Sequence, residues 1–366
     1  MNNHPKIIAM VQLPPPIHGA AQMNQFAIDA LAKEFDLHVI EMRFARTVTE
    51  VNRFSVRKMW VVVWLLLRLV WALPRAKALY ICFAPSGFAY YRDCLYVLLA
   101  KLSRLPSVLH LHGRGLAGRR RSKWSELLPR TVFKGQTVIL LGESLRAEIE
   151  GLDCKSAIIA NCLDDSAFVG PATKQWVPHD PIRLLWLSNL FQAKGIETLL
   201  AACEILRARG IPCHLTIAGA EGDISKAELA TLLEKYHVRA ATTYLGPVSD
   251  TERQDAFENS DLFIFPSHYH NEAQPLVVLE AMAANVPVIT SNIATLPEFV
   301  RDGETGRLCP PQAPEELANA ICAAIGAPEK TTAMRDAAYQ MCRQNFRQDR
   351  FAEKLRQRVH SIIENH

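Results

Sequence analysis

The chain has 366 residues, a formal net charge of +4, 49% hydrophobic and 21% charged residues, a length too great for one ordinary domain and a composition unlike that of disordered or fibrous proteins. Its nine cysteines are scattered, odd in number and without CxxC spacing, which argues against a disulfide framework or a zinc ribbon and fits a reducing compartment. The charge is uneven, with 22 Lys and Arg against 13 Asp and Glu in residues 1–170, and 19 against 24 in residues 171–366.

A basic half can attract nucleic acid, anionic lipid headgroups or phosphorylated substrates. No zinc-finger, homeodomain or RNA-recognition signature accompanies it, so no nucleic-acid partner is expected. The first residues lack a basic n-region and a small-residue cleavage site, and a cytoplasmic protein is expected.

In chain order, short apolar runs alternate with segments of helical period. The first half has such runs at 6–13, 38–41, 78–83, 107–111 and 137–141. The second has them at 158–160, 182–187, 214–218, 242–245, 262–265 and 286–290. This alternation predicts parallel sheets with right-handed crossovers, whose ligands bind at the carboxyl ends of the strands. After the first strand, His18-Gly-Ala-Ala21 offers small residues that permit close backbone approach, although a turn glycine alone looks the same. It is not a dinucleotide fingerprint, and no Walker loop occurs.

Residues 58–73 are almost wholly apolar, interrupted by Arg68, contain Trp60, Trp64 and Trp71, and have basic flanks. The segment is too short to span a bilayer. It reads either as a helix packed on the first sheet or as one lying in a membrane interface. Next comes the 84–93 loop, where Ser86 and Gly87 stand at a strand end and Arg92 and Asp93 equally suit a structural pair. His110 and His112 end another strand and share a face. Without an acidic ligand or a further histidine at suitable spacing, a metal there is not expected. Arg114, the run 119–121 and Lys123 either coat a solvated face or bind a pyrophosphate or anionic headgroups.

Residues 164–181, with Gly170, Pro171, Pro178 and Pro181, have the composition of an inter-domain connection, and a boundary is expected at 170–180. Beyond it, residues 261–290 are the richest stretch. A strand ends at Pro266, a polar loop follows, and a helix carries Glu280 about two turns beyond Glu272, which sits near its entrance. Carboxylates suit sugar and ribose hydroxyls, and the Gln274-Pro275-Leu276 helix entrance suits a phosphate.

The segment Glu272-Ala-Gln-Pro-Leu-Val-Val-Leu-Glu280 resembles the E-x7-E signature of the retaining GT-B enzymes of glycosyltransferase family 4. The resemblance continues through Leu296-Pro-Glu298 and Asp302-Gly-Glu-Thr-Gly306, and backwards through Leu187-Ser-Asn-Leu190 to Lys194-Gly195, Ile217-Ala-Gly219 and Leu245-Gly-Pro-Val248. It covers nearly all of the second half and, more weakly, the first.

What the resemblance implies is an α/β protein of two doubly wound Rossmann-like domains facing a cleft. Residues 1–172 would bind acceptor, 173–346 the nucleotide sugar, and 347–366 would form a helix crossing back. Asn189, Lys194, Gly219, Pro247, Ala273, Gln274, Pro275, Leu276 and Glu280 would contact the donor, with Gly19 approaching its phosphates. Glu272 would hold the transferred sugar, and His112 would stand beside it. His18, Ser86 and Arg114 would face the acceptor.

The implied reaction is transfer with retention from a UDP- or GDP-sugar to a saccharide or polyprenyl-linked acceptor of bacterial surface polysaccharide, without a metal ion or other cofactor. Peripheral contact at the inner membrane face is also expected. Alternatives on the same fold are a sugar-nucleotide 2-epimerase and a non-catalytic nucleotide-sugar-binding subunit.

Two departures stand out. The family's usual Arg is Asn189 here, and its usual glycine pair before Leu296 is Ala294-Thr295. One guanidinium contact to the diphosphate is then missing and Lys194 would carry the charge alone, and Arg and Lys are not equivalent at such sites.

Overall fold

The computed structural model describes residues 4–15, 19–44, 56–120 and 122–365. The chain forms two compact units, Met1–Cys162 with Gln348–His366, and Leu163–Arg347.

The N-terminal unit runs β1 (Lys6–Val11), α1 (Gly19–Leu31), β2 (Asp36–Glu41), α2 (Val56–Ala72), β3 (Ala78–Phe83), α3 (Gly87–Leu102), β4 (Ser107–Leu111), α4 (Lys123–Phe133), β5 (Thr137–Leu140) and β6 (Lys155–Ile158). Its six strands lie in the order β2-β1-β3-β4-β5-β6, each neighbouring pair parallel. The central strands β3 and β4 are buried almost throughout, as strands covered on both faces must be. At the edge, β6 begins with the polar Lys155 and Ser156 and ends at Ile158, whereas the apolar run pointed to 158–160. An edge strand needs no continuous apolar run, which is why the run misplaced it.

The C-terminal unit continues with β7 (Ile182–Leu187), α5 (Ile196–Ala208), β8 (Cys213–Ala218), α6 (Lys226–Lys235), β9 (Thr242–Gly246), α7 (Asp250–Glu258), β10 (Leu262–Phe265) and α8 (Leu276–Ala283). It is completed by β11 (Val288–Ser291), α9 (Leu296–Phe299), β12 (Arg307–Cys309), α10 (Pro314–Ile325) and α11 (Pro328–Asn345). The order is β12-β11-β10-β7-β8-β9, again parallel. Strand β12 has only three residues, too few to register as an apolar run. Trp186, Leu199, Ile217, Ile264 and Ile321 belong to one core cluster beneath this sheet.

The last helix, α12 (Gln348–Glu364), belongs to the N-terminal unit and packs on α1. Glu34 pairs there with Arg356 and His360, each at 2.7 Å.

The expected boundary at 170–180, and the division at 172 and 173, are corrected: the units part at Cys162 and Leu163. The Gly- and Pro-rich stretch is a strap on the C-terminal unit. Leu163 N donates to Phe346 O, Asn285 Nδ2 donates to Gly170 O, and Trp176 Nε1 donates to Asp261 O. Asp261, itself buried, accepts from the His179 and Arg183 amides. Composition signalled a segment without helix or strand. It could not show that the segment's polar groups are satisfied by one unit.

Candidate active site

In the C-terminal sheet the chain lays down β7, β8 and β9 in one direction, then returns to place β10, β11 and β12 on the other side of β7. The order therefore reverses between β7 and β10, the place where open α/β sheets bind ligands at strand carboxyl ends. Lys194 follows β7 in a short 3₁₀ turn, Gln192–Lys194, and Glu272 follows β10. The two meet, with Lys194 Nζ 2.7 Å from Glu272 Oε2, both side chains mostly buried.

Ser267 Oγ also donates to Glu272 Oε2 at 3.1 Å, and the Lys194 ammonium lies over the Tyr269 ring at 4.9 Å and the Phe265 ring at 5.5 Å. A flexible ammonium is thus held by one carboxylate and two aromatic faces. Close approach of the β7 and β10 loops depends on Gly195. Its φ is +83°, and a Cβ there would overlap the Pro266 carbonyl oxygen. Gly219, with φ +145° at the end of β8, would likewise drive a Cβ into the Ser188 carbonyl. Any side chain at either position would push apart the loops that carry Lys194 and Asn189.

Ala273, Gln274 and Pro275 lead buried into α8, whose N-cap Pro275 supplies no side-chain cap to the first N–H groups. Those groups and the helix dipole suit an anion. The Ala294-Thr295 departure has a physical role. Thr295 is fully buried and its Oγ1 donates to Ala273 O at 2.6 Å, tying the loop after β11 to the entrance of α8. Ala294 takes φ +50°, a conformation a glycine would adopt without strain.

Asn189 is partly committed to the scaffold. Its Oδ1 accepts from the Ala220 amide at 3.2 Å, joining the ends of β7 and β8. Gly219 is further fixed by its N–H to Gly246 O at 2.8 Å and by Tyr244 Oη donating to its carbonyl at 2.9 Å. Pro247 is exposed just beyond β9.

Glu280 lies buried on α8, and burial raises its carboxyl above the usual range, while Arg253 opposes the rise. Arg253 Nη1 from α7 is 3.3 Å from Glu280 Oε1, and Arg253 Nη2 is 2.7 Å from Asp250 Oδ1. Sequence reasoning missed Arg253, Ser267 and Tyr269. Ser267 and Tyr269 lie in the polar loop already marked, but nothing in the spacing around Arg253 points to α8.

In the N-terminal unit the candidates also stand at strand carboxyl ends. Gly19 opens α1 beyond β1, Ser86 is the N-cap of α3 beyond β3, and His112 directly follows β4. His18 lies outside the described residues. The His110 and His112 rings are 4.0 Å apart. His110 is wholly buried, shares a 2.7 Å hydrogen bond with Tyr80 through Nδ1, and is pushed well below the usual imidazole range by burial and by His112. It is a core histidine, whereas His112 is only partly buried.

Arg114 is drawn to Glu148 at 3.5 Å, the same carboxylate that accepts from the Gly115 and Ala117 amides. Arg119 packs over Tyr90 and Tyr91 and donates to Gly87 O, so it braces α3 as well as carrying charge. Asp93 is fully buried between Arg92 and the Ala84 amide, a structural pair. Among the described residues no three His, Cys, Asp or Glu side chains gather as a metal-binding set.

Residues 173–341 match the family model of the glycosyl transferases group 1. The chain is 30% identical over 262 residues to a glycogen synthase of Mycobacterium tuberculosis, covering 68% of this chain and 62% of that protein. It is 24% identical over 245 residues to the putative colanic acid biosynthesis glycosyltransferase WcaL of Salmonella typhimurium, covering 64% and 58%. The match thus spans about three fifths of the length of these curated relatives. In fold it is similar to Anabaena Alr3699/HepE, solved in complex with UDP-glucose, with a TM-score of 0.74 and 19% identity over 98% of this chain and 100% of that one. The two parallel six-stranded sheets are those of the GT-B fold. The C-terminal unit, through residues 173–341, is thus similar in sequence to the glycosyl transferases group 1.

Proposed function

We propose that the chain is a family 4 glycosyltransferase that moves a hexosyl group, with retention, from a nucleoside-diphosphate sugar to a saccharide or lipid-linked saccharide. The observation that carries this reading is the Lys194 ammonium held against Glu272 at the switch point of the C-terminal sheet, four residues ahead of the uncapped N-terminus of α8. A diphosphate needs positive charge as it departs. Lys194 and the first N–H groups of α8 supply it without requiring a divalent ion.

In this reading Glu272 does two jobs: it orients Lys194, and its carboxylate accepts from sugar hydroxyls. Glu280, deeper on α8, accepts from ribose hydroxyls. UDP- or GDP-sugars are the donor class. The binding of UDP-glucose by a protein of the same fold supports that choice, as the colanic acid role named for WcaL supports an acceptor in bacterial surface polysaccharide, handled at the cytoplasmic face of the inner membrane.

Calorimetry of the purified chain against UDP-, GDP- and ADP-sugars tests the donor, and NMR of the product anomer tests retention. Binding of none of them would overturn the reading. Release of an altered nucleotide sugar with no acceptor present would replace it by epimerisation, and transfer abolished by EDTA would overturn the metal-free site.

A further inference from the structure

Helix α2 is apolar on two opposite sides. Leu65, Leu69 and Ala72 are buried toward the unit's core, whereas Met59, Trp60, Val63, Trp64, Leu67 and Trp71 are exposed, the three indoles at 71%, 56% and 67%. At 3.6 residues per turn these exposed positions fall within an arc of about 120–140°. A helix that is hydrophobic all round is normally buried all round. This one instead leaves an aromatic stripe uncovered, so the reading of residues 58–73 as a helix packed on the first sheet accounts for one side only.

Neighbouring α3 adds a second stripe, Phe88, Tyr91, Leu95 and Leu102, with Phe88 and Leu102 each 81% exposed. The stripes meet at one end, where Val70 and Leu102 line a common cavity of about 650 Å³ with Lys77 and Arg104. Exposed apolar area of this extent marks a surface that is covered in use.

Charge identifies what covers it. Residues 51–125 hold fourteen Lys and Arg and a single acid, Asp93, which is fully buried against Arg92. The Arg68 guanidinium lies 4.8 Å from the Trp64 ring and that of Arg75 lies 5.2 Å from Trp71, so cations stand beside the indoles. Indoles flanked by cations, on a helix without acidic residues, match the boundary between acyl chains and anionic headgroups. Seventeen residues reach about 25 Å, short of the hydrocarbon core, and no helix among the described residues is long and apolar enough to cross a membrane.

We propose that the α2 and α3 face of the N-terminal unit docks on the surface of an anionic phospholipid bilayer, with α2 in the interfacial plane. Trp60, Trp64 and Trp71 sit at headgroup depth, and the exposed Arg75 and Lys77 meet the phosphates, while Arg68, half-buried and donating to Val39 O, ties α2 to β2. This deepens the lipid-linked acceptor reading and rests on it only for its biological purpose.

The test is co-sedimentation of the full chain with vesicles of mixed phosphatidylglycerol and phosphatidylcholine, and with phosphatidylcholine alone. Binding is expected only with the anionic lipid and weakens as salt rises. The triple variant Trp60→Ser, Trp64→Ser, Trp71→Ser is expected to lose about tenfold or more of the affinity, and Arg75→Glu with Lys77→Glu a comparable amount. Circular dichroism melts of each variant report whether the N-terminal unit, which carries the substitutions, is folded, and calorimetry with the nucleotide sugar that binds the parent reports on the C-terminal unit. Parent protein that ignores anionic vesicles while binding nucleotide sugar overturns the docking and leaves the donor reading standing. Vesicle binding without nucleotide-sugar binding does the reverse. A dimer in light scattering that the triple Trp variant dissolves, with no loss of vesicle affinity, would assign the face to a second copy instead.

Discussion

Arg253 on α7 reaches Glu280 on α8 at 3.3 Å, so each glutamate of the pair is gripped by a cation from elsewhere in the fold, Glu272 by Lys194 and Glu280 by Arg253. The two grips differ in consequence. Lys194 stands at the switch point between β7 and β10, whereas Arg253 serves a carboxylate whose ionisation burial opposes.

That opposition has a sign. Burial raises the Glu280 carboxyl above its ordinary 4.5, so between 4.5 and its folded value the folded state holds more of this proton than the unfolded chain does. The carboxyl favours the fold below about 4.5 and costs stability as pH rises through its folded value. Glu280→Gln is therefore expected to melt higher than the parent at neutral pH, with the gain shrinking toward pH 4.5, while nucleotide-sugar affinity falls. Thermal melts across that range, paired with calorimetry, check both. A variant that melts lower at every pH would mean that the Arg253 pairing outweighs the burial.

Lys194→Gln removes the ammonium and keeps a polar side chain. Turnover is expected to drop about a hundredfold or more, since a preorganised charge at a developing anion is among the larger single contributions to catalysis. Steady-state kinetics beside circular dichroism of the purified variant decides the matter, and near-parental kcat in a folded variant would remove Lys194 from the chemistry.

Asn189→Ala deletes the hydrogen bond from the Ala220 amide. Loss of one such bond costs about 1 kcal/mol of stability. If the side chain acts as a tie between β7 and β8, urea denaturation shows that loss and donor affinity barely moves. A drop in affinity much larger than the drop in stability would make Asn189 a direct donor contact.

His110 gives the opposite pH sign to Glu280. Its imidazole is held below the usual range by burial and by His112, so the unfolded chain takes up a proton that the fold refuses. Stability of the N-terminal unit is expected to fall as pH drops below about 6.5, by at most about 1.4 kcal/mol per pH unit for this one proton. His110→Gln should flatten that part of the profile in denaturant titrations. An unchanged slope would place the proton elsewhere.

Most of the strands were legible because β3, β4, β7 and β10 are short, mostly apolar runs. Of the four edge strands, β2 and β9 were found by their apolar runs, whereas β6 and the three-residue β12, which lean on one neighbour and need no apolar run, were not. The same split holds for the site. Glu272 and Glu280 could be found because their eight-residue separation is a local pattern. Arg253 could not, because only the packing of α7 beside α8 brings it to Glu280. Strap residues 163–181 show a third case, where composition marked a stretch that holds only the short 3₁₀ turn Asp165–Ala167 but misjudged its allegiance.

The Thr295 hydroxyl bonded to the Ala273 carbonyl has a thermodynamic consequence for any ligand of this unit. Where glycines would leave the loop after β11 free to wander, Ala294 and Thr295 give up that freedom when the chain folds. The ordering cost is then met once, in folding, and is not levied again at each binding event. On the proposed reading, a donor that binds at α8 meets an entrance already set, so its affinity should vary little with temperature-driven loop motion and its association should not wait on loop closure.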